Sequence, residues 1–278
     1  MMLNTLTTVI TLAFANISQV SQAETETVLW ALNEAPPFHM AAGPERGQGF
    51  CEKLVAAAIR ATPELTHEVQ YLPNLRVEML WQNNQNLCFP CMIHSKQPQS
   101  EIIHTKITHN YPPHGIITRS TTAASMIAEF GNPLNLAALS QAAKYRFVQP
   151  AGRGYGILQP LVTEHILSDL NTTVLTGDHG TASMFAMIAS GRVDYTIDYP
   201  FVMDYFAAAH QGEFQFVPIE QNYQQQLAGA MACTDNPWGR QVIGLLNQRI
   251  DEIRYDPEFI HALDRWLPTR PKLTETQE

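Results

Sequence analysis

Short apolar runs alternate with segments of helical periodicity along most of this chain. Residues 28–32 (VLWAL) form a continuous apolar run of strand length, the pattern of a strand buried on both faces. The run stops at Glu34-Ala35-Pro36-Pro37-Phe38, where two prolines remove ladder donors and impose an extended loop. Residues 50–61 place Leu54, Val55, Ala58 and Ile59 at helical spacing before Pro63, which predicts a helix. The unit repeats, with strands over 67–72 and 87–93, a helix over 75–81, and an extended segment over 101–108.

After a strand at 114–118 the pattern restarts. A helix over 136–143 and a strand over 146–149 lead to the turn Gly152-Arg153-Gly154-Tyr155-Gly156 and a helix over 157–167. A strand over 173–175, a helix over 181–189 stopped by Gly191, and a strand over 193–197 ending at Asp198-Tyr199-Pro200 follow. Strands over 216–219 and 228–233 and helices over 239–254 and 258–266 complete the chain. Alternation of this kind predicts open α/β sheets, whose ligands bind beyond the carboxyl ends of the strands.

Composition narrows the function. The chain has 278 residues, 45% of them hydrophobic, and a formal net charge of −9 with no Lys/Arg cluster. A nucleic-acid partner is therefore excluded, because phosphate recognition needs a basic footprint. The first 23 residues carry no charged side chain, residues 3–15 are apolar and Thr-rich, and Ser21 and Ala23 place small residues at −3 and −1. That is the pattern of a signal peptide, with a mature start at Glu24 and a periplasmic destination. Four cysteines (Cys51, Cys88, Cys91 and Cys233) allow three pairings. Cys88-Phe89-Pro90-Cys91 has redox-motif spacing, but it falls in a strand rather than at a helix N-terminus, where a thiolate is stabilised. Structural bridges or buried thiols are the expectation. His104, His109 and His114 recur every five residues, and odd spacing alternates faces along a strand. No metal site and no cofactor is expected.

The order of motifs carries a family likeness. Leu32-Asn33-Glu34-Ala35-Pro36-Pro37-Phe38, then Gly47-Gln48-Gly49-Phe50, resembles the opening of family 3 bacterial extracellular solute-binding proteins, best known as polar amino-acid receptors. The run from Gly191 through Asp194 and Asp198 to Pro200 resembles that family's second-lobe segment, and the likeness spans about residues 26–268. It implies two α/β lobes of the type II periplasmic-binding-protein fold joined by two hinge strands. Lobe one would hold residues 24–116 plus 227–278, and lobe two residues 117–226. It also implies a monomer that clamps a small polar solute for an inner-membrane ABC permease or a sensor protein.

Seven residues are candidate ligand contacts. The resemblance places Asp198 on a ligand amino group, Phe38 packed on the ligand, and Ser95, beside Lys96, as a hydroxyl contact. Amino-acid receptors of the family add an Arg a few residues later, and this chain has Ser100 there. Arg76 and Arg153 are the alternative cations; an Arg at a helix start, as at 76, opposes the dipole and needs another partner. Arg153 and Tyr155 sit in a turn that would expose N–H groups at a helix N-terminus. Glu34 is a strand-end carboxylate, and Asp198 ends an apolar strand where an unpaired charge is expensive. Asp194 reads as structural. No G-x-S-x-G elbow or nucleophile–base pair is present, so no catalysis is expected; the rival is a dehydratase on the same two lobes with Glu34 or Asp198 as general acid/base.

Overall fold

A computed structural model describes residues 27–94, 101–177, 179–210, 214–268, 270–271 and 273. Residues 1–23, the expected signal peptide, and Ser95, Lys96 and Ser100 lie outside the described residues. The first apolar run becomes β1 (Thr27–Leu32), parallel to β2 (Thr66–Tyr71) on one side and β3 (Cys88–Ile93) on the other. Both faces of β1 are covered, which explains its lack of alternation. Val28, Trp30 and Leu32 join one core cluster with helix α1 (Phe50–Ala61), while Ala31 packs with Leu87 and with Val77 of α2 (Asn74–Gln82). β2 is the sheet edge and is largely exposed and polar, the composition that discourages edge pairing. β4 (Ile102–His104) and β5 (His109–Tyr111) both pair with a late strand, β11 (Leu227–Thr234), which runs antiparallel beside β3.

The second sheet has the order β10-β6-β9-β7-β8. Its strands are β6 (Gly115–Arg119), β7 (Phe147–Pro150), β8 (Thr172–Leu175), β9 (Tyr195–Asp198) and β10 (Phe214–Pro218). The chain thus crosses from the first sheet to the second between Tyr111 and Gly115 and returns between Pro218 and Leu227. Helices α3 (Ser120–Phe130), α4 (Leu136–Ala142), α5 (Gln159–Leu161), α6 (Gly180–Ala189) and α7 (Pro200–His210) belong to this second stretch. The last three helices, α8 (Pro237–Gln248), α9 (Ile250–Arg254) and α10 (Pro257–Trp266), return to the first, where α9 and α10 pack on α1. Asp194 holds Arg146 at 3.0 Å and Arg119 at 3.4 Å, a structural pairing at the start of β9.

Several local expectations need correction. The sequence pattern assigned no helix to α3 or α7. Pro200 reads as a breaker after Asp198, yet it opens α7, because proline is well suited to the first helical position. The helix expected over 157–167 is a composite in which α5 lies between a 3₁₀ turn, Gly156–Leu158, and a π turn, Val162–Ile166. The helix expected over 239–254 breaks at Arg249 into α8 and α9.

The cysteines pair as Cys51–Cys91 and Cys88–Cys233. Neither member of the Cys88–Cys91 motif bonds the other, so the redox reading is set aside. The two bridges close loops of 40 and 145 residues, tying β3 to α1 and to β11. A peptide map without reduction is expected to recover those two cross-links; a Cys88–Cys91 peptide would contradict the structure. Removing the longer bridge with C88S/C233S should lower unfolding free energy by about 2–5 kcal/mol in urea titrations.

Candidate ligand-binding site

The carboxyl ends of β1, β7 and β8 and the first residues of α2 and α6 converge on one cleft between the two sheets. The cleft opens to solvent, and about 490 Å³ of space lies within it when that open mouth is counted. Two contacts bring its walls together. Asn74 Nδ2 donates to the Ala151 carbonyl at 3.1 Å, and Gly152 presses against α2 with φ +72°. A Cβ there would stand 2.7 Å from Glu78 Oε1, so both the turn and the approach call for glycine.

Beyond the lining lies a buried ion pair. Asp198, at the end of β9, is fully buried, and its Oδ1 accepts from the Arg153 guanidinium and from the Tyr199 N–H at 2.7 Å. Its Oδ2 has no hydrogen-bond partner among the described residues. Burial pushes the Asp198 carboxyl above the usual range, opposed by the Arg153 charge and by hydrogen bonds from the Tyr199 N–H and Arg153. Burial alone would weaken the hold of Arg153 on its proton; Asp198, with Tyr155 and Tyr199, more than offsets this, and Arg153 stays firmly protonated. Each ion makes the burial of the other tolerable.

Phe38 arrives from the first sheet. The N–H groups of Phe50 and Cys51, free at the start of α1, donate to the carbonyls of Pro37 at 3.3 Å and Phe38 at 3.1 Å. Gly49 permits this, because a Cβ would fall 2.3 Å from the Phe38 oxygen. Glu34 Oε2 accepts from the Ala41 N–H at 2.6 Å and Glu52 Oε1 from the Met40 N–H at 3.2 Å, which fixes the far end of the loop. Held in this way, the Phe38 ring contacts Tyr199, Phe201 and Tyr111 at centroid distances of 5.8, 5.3 and 5.9 Å, with the Arg153 guanidinium 5.8 Å from its centroid. His114, at the first crossing, stacks on Tyr199 at 4.0 Å.

The sequence-predicted residues are thus distributed unevenly. Glu34 and Arg153 line the cleft, and Phe38, Arg153 and Asp198 meet at its inner end. Arg76 is exposed on α2, its guanidinium reaching Met79 Sδ at 4.0 Å. Tyr155, expected as an exposed side chain of the glycine turn, is fully buried in the second core, where its hydroxyl donates to Gln149 Oε1 at 2.7 Å. Its N–H is taken by Gln159 Oε1 at 2.9 Å, and a 3₁₀ turn rather than a regular helix follows. Sequence reasoning passed over Tyr111, His114, Tyr199 and Phe201. The available signal was their position, since Tyr111 and His114 flank the entry to β6, and Tyr199 and Phe201 flank the proline after β9.

The sequence matches no family model and no curated protein sequence. The structure, by contrast, has many relatives. ArtJ of Geobacillus stearothermophilus, an arginine-, lysine- and histidine-binding protein, aligns with a TM-score of 0.63 and 13% identity, over 91% of this chain and 100% of its own. A histidine kinase sensor domain with similarity to periplasmic binding proteins aligns at 0.66 and 12% identity, over 89% and 98%. The ancestral amino-acid-binding protein AncCDT-1, a precursor of cyclohexadienyl dehydratase, aligns at 0.60 and 13%, over 87% and 95%. The fold is that of the two-lobed periplasmic binding proteins.

Two measurements test the site as described. Truncating either ion (R153M or D198L) is expected to cost about 3–5 kcal/mol of stability, and the double variant far less than the sum; additive losses in urea titrations would contradict the pairing. The second concerns histidines. Burial pushes His39 and His109 down to about 3 and His104 down to about 4, and it lowers His114 well below its ordinary value of 6.5. The unfolded chain therefore binds more protons than the folded one between those values and pH 6.5. Their contribution to stability is present above pH 6.5 and is lost as pH falls towards the folded values, by on the order of 1–2 kcal/mol each for the fully buried His39 and His109 at pH 5. Flat stability from pH 7 to 5 would contradict their burial.

Proposed function

We propose that this chain is a periplasmic solute-binding protein that closes two lobes around a small polar ligand, amino-acid-like or another small polar solute. In this reading residues 1–23 direct export, the lobes are 24–116 with 227–278 and 117–226, and the protein works as a single copy. It passes its ligand, or the closed shape itself, to an inner-membrane ABC permease or a sensor protein. The observation that carries the reading is the meeting of Phe38, from the first sheet, with the buried Arg153–Asp198 pair of the second, at the inner end of a cleft. Two crossings join the sheets, so hinge rotation would open and close that junction. The amino-acid receptor and the kinase sensor domain among the structural relatives are compatible with both outputs.

The ancestral precursor of a dehydratase raises the second reading, an enzyme using Glu34 or Asp198 as general acid/base. Both carboxylates are already engaged, Glu34 by the Ala41 N–H and Asp198 by Arg153. That favours holding a ligand over transferring a proton to it.

The test is to strip the mature protein by unfolding and refolding, then to record melting temperatures with amino acids, short peptides, polyamines, carboxylates and sugars. A ligand at a hundred times its Kd adds about 2.7 kcal/mol, a rise of roughly 5–10 °C for a protein of this size. A rise of that order, with the compound recovered unchanged and the response lost in D198A, is expected. Recovery of a converted product would establish the enzyme instead, and no response across the panel would count against the binding reading.

A further inference from the structure

Two buried hydrogen-bonding groups close to Arg153, which lines the cleft, remain unmatched. Asp198 Oδ2 has no partner among the described residues, and neither has either ring nitrogen of His114, although both residues are essentially inaccessible to solvent. An unmade hydrogen bond of this kind costs about 1–3 kcal/mol, and unmatched groups kept in a native interior call for an explanation. The two belong to one neighbourhood. β6 and β9 pair with Gly115 opposite Asp198, and the next residues outward, His114 just before β6 and Tyr199 just after β9, have their rings in contact. The Arg153 charge acts on both His114 and Asp198.

The charges here are already spent on each other. Arg153 and Asp198 sum to zero, the Tyr155 hydroxyl is bonded to Gln149, and the Tyr111 hydroxyl to the Cys91 carbonyl. The remaining walls are ring faces: Phe38 on the first sheet, and Tyr199 and Phe201 beyond β9 on the second. If the lobes part as proposed, Phe38 would leave Tyr199 and Phe201 and a flat group could enter between them. A fixed charge entering that slot would have to break the ion pair or remain uncompensated, each costly in a buried setting. A neutral imidazole offers one donor and one acceptor, and a carboxylate oxygen accepts.

On the reading of this chain as a solute-binding protein, we infer that His114 and Asp198 Oδ2 form a subsite for an uncharged, flat ligand group that joins an N–H donor to a carbonyl acceptor, as a carboxamide or a lactam does. The ligand N–H donates to Asp198 Oδ2, its carbonyl accepts from the His114 ring, and its plane lies between Phe38 and Tyr199. His114 is then a specificity-determining residue.

Matched probes that differ in charge at this group test the inference: nicotinamide against nicotinate, L-glutamine against L-glutamate, and L-asparagine against L-aspartate. Calorimetry on the refolded, ligand-free protein is expected to show at least one amide binding ten times or more tighter than its charged partner. H114F, which keeps a ring and removes both nitrogens, should weaken that probe tenfold or more. Equal or tighter binding of the charged partner overturns the inference, as does an H114F variant with unchanged affinity. The charge preference is read on the unaltered protein, so it stands or falls even if H114F does not fold. Silence from all six probes, with a response elsewhere in the broader panel, overturns this subsite and leaves the binding reading intact. Silence in both sets removes the two together.

Discussion

Arg153 and Asp198 come from the carboxyl ends of neighbouring parallel strands of the second sheet, β7 and β9, and neither could be buried there without the other. Their contact fixes the turn after β7 against the end of β9, so the strand ends that border the cleft form one unit. Around this pair the remaining inner surface is aromatic, because ring faces pack on a neutralised ion pair without adding charge. Phe38 reaches it from the opposite sheet and places its ring over the guanidinium. The junction between the sheets is therefore chemically specific and not a generic apolar contact.

That junction depends on firm support from the first sheet. The loop bearing Phe38 is bonded to the N-terminus of α1 on one side and to the carboxylates of Glu34 and Glu52 on the other. α1 is itself tied to β3 by Cys51–Cys91, and β3 to β11 by Cys88–Cys233. The rigid part of the first lobe thus extends from the Phe38 loop to β11, the strand that follows the return crossing. The two crossings between the sheets lie outside this bonded unit, a division suited to the hinged closure proposed above.

Much of this was legible in the sequence. Buried strands such as VLWAL and amphipathic helices such as α1 announce themselves, and the restart after Gly115 revealed the second sheet. Asp198 was singled out because a charge ending an apolar strand is expensive unless paired, and Phe38 because the family resemblance implies an aromatic contact there. Tyr155 was misplaced because a turn sequence does not show which way its aromatic residue points. α7 was missed because Pro200 serves equally as a stop or as a first helical residue. His114 and Tyr199 carried only the signal of their positions, because the contact between them joins residues more than 80 apart in the chain. The disulfide pairing, likewise, followed from tertiary proximity and not from spacing.

The most direct test of hinged closure is a distance measured across the cleft. All four cysteines are in disulfides, so spin labels on M79C of α2 and L170C before β8, both exposed positions, would report on the two lobes alone. Pulsed dipolar spectroscopy would be recorded with and without the panel compound that raises the melting temperature most. A distribution that shifts and narrows on addition of the compound is the expected result. One narrow distribution, identical with and without saturating compound, would contradict closure around a ligand.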